Sequence, residues 1–417
     1  MNETTKKDTK SSMLFTCTYS VLGGALISAV YPPWAVIGTI LYSGGFAGMA
    51  YMAVKNNRFD KVFRNLELGM DGAYPFLKKR IKTDYSTVYK FTLPCGLCLS
   101  DFEDKQEQIE QYLGREISIK YTYKEIQIEV FETELKSLYE YDPVDIKGEV
   151  PILIGYNRKD VLISCDLSDG EPHLGIYGET GSGKSTVLRS IITNLILKSK
   201  VKLHLVDLKN GAEFNIFRKS SKVESFCRNI KEAKELLLNL SIEVDRRYDL
   251  FFEKDVKDIK EYNKKFKYKK LDYQVLIIDE FADLQSDKDK SCIFILQELG
   301  RKARACGIHV ILSTQRPSSK VLDSEIKANI TNILGLKTLN NINSQIIIDE
   351  PGLEKLRGKG HGIFKRGVKV EVQAPFLEPD KARELIKHTY VEKKVIKPIQ
   401  NGELQDFSCL EAYNDYN

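Results

Sequence analysis

The stretch "GETGSGKST", Gly178 to Thr186, holds residue types able to do phosphate chemistry. Gly178 to Ser185 fit G-x-x-x-x-G-K-[ST], a loop whose glycines let backbone N–H groups turn inward around phosphate oxygens. Lys184 is placed to reach the β- and γ-phosphates of a nucleotide, and the Ser185 hydroxyl to ligate Mg2+. The expected ATP-binding set is therefore Gly178, Glu179, Thr180, Gly181, Ser182, Gly183, Lys184, Ser185 and Thr186. The pattern alone arises by chance, so its setting decides. Here "HLGIY" before it reads as a short apolar strand and "STVLRSIITNLILKSK" after it as an amphipathic helix, which is the setting such a loop requires.

Hydrolysis needs acids as well as a cradle. In "YQVLIIDEFADL" an apolar run, Val275 to Ile278, ends in Asp279-Glu280. Such a run fits a strand buried on both faces of a parallel sheet, and ligands bind at the carboxyl ends of such sheets. Asp279 would hold Mg2+ through water, and Glu280 would polarise the attacking water. An acidic pair at a strand end can also cap a helix, but its place downstream of a phosphate loop favours the hydrolytic pair. A further strand, "KLHLVDLK", ends in Asp207.

A third candidate stretch is "GRKARACGIHVILSTQRPSS", Gly300 to Ser319. It reads as a basic helix, a break at Cys306-Gly307, a fourth parallel strand "IHVIL", and a polar tip, Ser313-Thr314-Gln315. The tip is expected beside Asp279-Glu280. Gln315, neutral with both donor and acceptor, suits sensing or orienting the water. Arg304 is expected to face a neighbouring subunit and stabilise charge building on the phosphate there, with Arg301 as the second candidate. The plainer reading makes Arg301, Lys302 and Arg304 a solvated helix face.

These elements must sit in a chain of 417 residues, long enough for two or three domains. A hydrophobic share of 42% supplies a core, while a net charge of +5 is too mild to argue for nucleic acid by itself. The eight cysteines are scattered and fit a reducing setting; only Cys95 and Cys98, in "CGLC", have metal or redox spacing, without a second pair.

Near the N-terminus, Met13 to Tyr31 and Ala35 to Val54 contain no charged residue, and "PPW" separates them. Each run has about the ~20 residues needed to cross a bilayer. Lysines before the pair (Lys6, Lys7, Lys10) and basic residues after it (Lys55, Arg58, Lys61, Arg64) place both ends in the cytoplasm by the positive-inside rule. A signal peptide or a soluble helical hairpin is the alternative. The expected organisation is a tail at 1–12, two transmembrane helices at 13–54, a juxtamembrane linker at 55–85, a small α+β module at 86–149, a motor domain at 150–390 and a tail at 391–417. The module reads strand, helix, strand, strand, with Ser100-Asp101 as helix cap and Gly114 as its stop.

"EYNKKFKYKKLDY" reads first as a solvated loop before a strand, with DNA contact as the alternative, since Lys264 to Lys270 interleave with Phe266, Tyr268 and Tyr273, a composition suited to phosphates and stacked bases. Arg316, Lys320 and Lys327 are further candidates.

Several of these motifs occur together in a known family. "VDLKNGAEF", "LIIDEFADL", "GRKARACGIHVILSTQRPSS", "IKANITNILGLK" and "EKLRGKGHGIFKRGVKVEVQAPF" resemble, in order, the motor segment of FtsK/SpoIIIE-type DNA translocases over about residues 150 to 380. The resemblance implies an α/β, RecA-like P-loop NTPase that assembles as a homo-hexameric ring and moves DNA with ATP and Mg2+. It carries Lys184, Ser185, Asp279, Glu280 and Gln315 over to their expected roles, and Arg304 to the arginine finger less closely. The pattern departs from the family at Gln345, which stands where the family commonly has arginine. The chain also stops soon after the motor, and its expected anchor has two spans where those relatives usually have more. In these respects it is similar to coupling proteins of conjugative elements in Gram-positive bacteria, which implies a relaxase and mating-channel proteins as partners. The alternatives are a chromosome-partitioning translocase and a membrane-anchored recruitment platform switched by ATP. A solute transporter is disfavoured by too few spans and the lack of an "LSGGQ" signature.

Overall fold

The computed structural model describes residues 58–392, apart from 124 and 287–289. The two uncharged runs at 13–54 and the tail from 393 lie outside the described residues. Among the described residues no helix is long and apolar enough to cross a membrane. The chain divides into two units after Glu134.

The first unit is a four-stranded antiparallel sheet in the order β1-β2-β4-β3, from β1 (Phe76–Lys82), β2 (Ser86–Thr92), β3 (Ile117–Thr122) and β4 (Glu125–Phe131). Ile126, Ile128 and Val130 of β4 are buried while the residues between them are half-exposed, as the period of a one-sided sheet demands. Helix α1 (Arg58–Asn65) sends Phe59 and Phe63 into this core against Tyr89 and Phe91. Residues 58–85, expected as a linker, thus contribute a helix and a strand to the unit, because the apolar face of α1 needs the sheet to cover it. The expected single helix at 99–114 is two, α2 (Leu99–Glu103) and α3 (Gln106–Leu113). Its cap is Cys98 rather than Ser100: Asp101 reaches back to the Cys98 N–H at 2.7 Å, closing a capping box. Gly114 does end α3, in the left-handed conformation. Cys95 and Cys98 are exposed free thiols, and no metal-ligand cluster occurs among the described residues.

The second unit holds a ten-stranded sheet. Its strands are β5 (Pro151–Tyr156), β6 (Leu162–Asp166), β7 (Leu174–Tyr177), β8 (Lys202–Val206), β9 (Val223–Cys227), β10 (Gln274–Ile278), β11 (Ile308–Thr314), β12 (Asn332–Leu336), β13 (His361–Arg366) and β14 (Val368–Gln373). The order is β6-β5-β14-β13-β12-β7-β11-β10-β8-β9. From β12 to β9 neighbours run parallel; from β12 to β6 they run antiparallel. The sheet is therefore mostly parallel, with an antiparallel flank that the sequence reading did not foresee.

Val275 to Ile278 and all of β11 are buried, as expected for strands covered on both faces. Burial of each such side chain contributes about 1.5–3 kcal/mol. Helix α4 (Lys184–Lys198), expected to be amphipathic, is instead buried on nearly every side, from Val187 to Ile196. It packs against β5 on one side and α10 (Pro379–Ile386) on another. Residues 135–149 belong to this unit rather than to the module: Tyr141 N–H donates to Phe376 O, and Asn194 of α4 accepts from Val144 N–H.

Candidate active site

Strand β7 delivers the chain to the phosphate loop, and α4 begins at Lys184. The N–H groups of a helix's first turn have no acceptor within the helix, so Lys184, Ser185 and Thr186 offer donors and a positive dipole end to an anion. Gly183 is obligatory here. Its φ is +102°, and a Cβ would lie 2.2 Å from the Gly360 nitrogen, whose N–H donates to Ser182 O at 2.7 Å. The loop before β13 thus lies directly on the phosphate loop. Glu179 turns aside to accept from Asn343 Nδ2, and the Thr180 hydroxyl donates to Gln315 Oε1 at 3.0 Å.

Because β10 and β11 are parallel neighbours beside β7, their carboxyl ends meet the loop. Lys184 Nζ is buried and donates to Asp279 Oδ1 at 2.5 Å, to Asp279 O at 2.7 Å and to Ser313 Oγ at 3.1 Å. Glu280 is buried too, with one carboxylate oxygen accepting from the Thr314 hydroxyl and the other from Gln315 N–H at 2.9 Å. The structure therefore gathers Lys184, Asp279, Glu280 and Gln315 in one place. Ser185 stands half-buried on the first turn of α4.

Asp279 Oδ2 is buried and makes no hydrogen bond. A buried carboxylate oxygen without a donor is costly unless a cation completes it. With the Ser185 hydroxyl nearby in sequence to Lys184, the donors are hard oxygens of the kind Mg2+ takes. Asp279 and Ser185 would hold the ion.

Arg304 does not join this cluster. It is exposed on the last turn of α7 (Ser291–Cys306), which closes at Gly307 and leads into β11 from its far end. The seven residues of β11 put about 20 Å between that end and Thr314. Arg304 makes no ion pair among the described residues, whereas Arg301 and Lys302 both pair with Glu298. Gln345 is exposed on α9 (Asn341–Ile348).

The candidate DNA-binding aromatics separate. Tyr273 is buried and stacks on His309, and Phe266 packs on Tyr262, so neither presents a face for a base. Tyr268 is fully exposed amid exposed Lys264, Lys267, Lys269 and Lys270. Arg316 lies 3.5 Å from Asp283, Lys320 is exposed, and Lys327 is occupied by Asp349 at 2.7 Å. Lys209, passed over in the sequence reading, lies 3.6 Å from Asp279 Oδ2. Its place two residues beyond the acid that ends "KLHLVDLK" was the available signal.

Residues 134–319 match the model of the FtsK/SpoIIIE family. The chain carries an FtsK/SpoIIIE-family domain. The chain is 33% identical over 274 residues to the DNA translocase FtsK of Caldanaerobacter subterraneus subsp. tengcongensis, covering 63% of this chain and 38% of that one. It is 32% identical over 284 residues to the DNA translocase SpoIIIE of Bacillus subtilis, covering 64% and 36%. The chain thus spans well under half the length of these relatives. Among solved structures, the pCW3 conjugation coupling protein TcpA, in a monomer form with ATPγS, is similar at 26% identity and a TM-score of 0.60, covering 79% of this chain and 97% of that one. The FtsK/SpoIIIE-family domain of this chain has the P-loop NTPase-like fold expected from the sequence.

Proposed function

We propose that this protein is an ATP-hydrolysing DNA translocase, anchored in the cell membrane by the runs at 13–54 and acting as the coupling protein of a conjugative element. One observation carries the ATPase reading: Lys184, Asp279, Glu280 and Gln315 converge at the carboxyl ends of neighbouring strands in the family-matching segment. Similarity to DNA translocases supports DNA as the substrate, and near-complete coverage of a conjugation coupling protein supports the finer role.

Bound Mg2+ would supply charge neutralisation at the β- and γ-phosphates. The phosphate loop and the start of α4 bind the phosphates, and Lys184 exchanges Asp279 for phosphate oxygens. Glu280 takes the proton of the attacking water, while Gln315, held through Thr180, sits where it can orient that water. Arg304, exposed and remote from its own subunit's site, suits a role across a subunit boundary in a homo-hexameric ring. A relaxase and mating-channel proteins are the partners this reading implies.

The test is ATP turnover by the purified full chain with and without DNA, alongside strand displacement on single- and double-stranded substrates. DNA-stimulated, multiple-turnover hydrolysis supports the reading. Hydrolysis indifferent to DNA, with no displacement of either form, rules out translocation.

A further inference from the structure

Asp279 is bracketed by two lysines. Lys184 takes Oδ1, while the ammonium beside the oxygen that makes no hydrogen bond is that of Lys209, 3.6 Å from Oδ2. That distance is ion-pair range without a hydrogen bond. The Lys209 side chain is 40% exposed. As a stabiliser such a half-solvated pair contributes little, about 0–1 kcal/mol. The backbone that carries Lys209 is nonetheless tightly fixed. Asp207, fully buried at the end of β8, accepts from the N–H groups of Lys209, Glu213 and Phe214 at 3.1, 2.8 and 2.9 Å. Strand β8 is the parallel neighbour of β10, with Val206 opposite Ile278, and Asp279 N–H donates to Val206 O. Sheet register therefore fixes the turn beside the acid. The carboxylate on the same turn, Glu213, lies 3.8 Å from Arg189, so Lys209 is not its counterion.

We propose that Lys209 is a second phosphate-directed cation of this site, one that recognises the terminal phosphate of ATP. When nucleotide draws Lys184 away, Lys209 swings its flexible ammonium from Asp279 Oδ2 to the γ-phosphate oxygens and neutralises charge there. In the reaction the water oxygen bonds to the γ-phosphorus and the bond to the β–γ bridging oxygen breaks. The water proton passes to Glu280, and ADP and phosphate leave. Lys209 forms no bond and moves no proton. Its contribution is charge. This inference rests on the ATPase reading above.

The test measures binding of Mg·ADP and of a Mg-bound non-hydrolysable ATP analogue to the full chain by calorimetry, with Lys209→Ala and Lys209→Arg beside wild type. Lys209→Ala should weaken the analogue by about 10-fold and ADP by less than about 2-fold, with Lys209→Arg recovering most of the loss. Thermal melts of the unliganded variants should match wild type. Equal losses for both nucleotides, or no loss for either, overturn the proposal. A wild-type chain that binds neither nucleotide overturns the ATPase reading and this inference together.

Discussion

Lys184 and Asp279 lie 95 residues apart in the chain, yet Lys184 Nζ meets Asp279 Oδ1 at 2.5 Å, both side chains being almost wholly buried. The phosphate-binding cation and the metal-binding acid thus satisfy each other when no nucleotide separates them. Removing Asp279 leaves Lys184 a buried charge without a partner, and removing Lys184 leaves buried Asp279 only the half-exposed Lys209, 3.6 Å away without a hydrogen bond.

Lys184→Ala should therefore do two things. Hydrolysis should fall by about 10²-fold or more, and the unliganded fold should lose about 3–5 kcal/mol. Urea melts can separate these effects: adding Asp279→Asn should restore much of the stability and none of the turnover. Equal stability of Lys184→Ala and wild type would show that the pair is not a structural ion pair.

Glu280→Gln keeps shape and hydrogen-bonding capacity while removing the proton acceptor. Turnover should fall by about 10²–10⁴-fold, with nucleotide affinity near wild type. Surviving hydrolysis would take Glu280 out of the role assigned to it.

Arg304 is exposed at the end of β11 away from Thr314, so its effect should appear only between subunits. Arg304→Ala chains titrated into wild type should lower activity more steeply than simple dilution. A linear fall would remove the cross-subunit assignment.

Gly183→Ala puts a side chain at a φ of +102° and a Cβ 2.2 Å from the Gly360 nitrogen. Backbone strain alone costs about 1–3 kcal/mol, and the overlap adds to it. Nucleotide binding by calorimetry should be lost, whereas Gly181→Ala, with no atom within 4 Å of its Cβ, should bind weakly and remain folded.

Two buried imidazoles weaken the second unit as the pH falls. Burial holds the pKa of His173 down to about 3 and that of His309 down to about 4, against 6.5. His173 accepts Val310 N–H at Nδ1, so its Nε2–H donates to Gly300 O; His309 Nδ1–H donates to Pro172 O. Both are neutral when folded and take a proton on unfolding below pH 6.5. The unfolded chain binds more protons, so stability is full above pH 6.5 and falls with pH until the folded values are reached. Each contributes a slope of about 1.4 kcal/mol per pH unit within that window. Denaturant melts at pH 7.5 and 5.5 should differ by about 3 kcal/mol from this pair, and His309→Asn should reduce the difference. An unchanged difference in that variant would exclude His309 as a source.

What the sequence determined by itself is local. A phosphate loop is written in consecutive residues, an apolar run ending in Asp279-Glu280 reads as a buried strand, and Cys306-Gly307 marks a helix end. Each is legible because backbone sterics and strand burial act over a few residues. The tertiary structure decided what depends on neighbours distant in the chain. Parallel register set Lys209 beside Asp279, since β8 and β10 adjoin in the sheet though a long excursion separates them. Packing, not composition, turned Tyr273 and Phe266 inward and left Tyr268 outside, for an aromatic among lysines has the same local pattern in either case. Likewise, the apolar face of α1 could not show from sequence which sheet would cover it. Side-chain periodicity says that a surface will be buried; only the completed fold supplies the surface that buries it.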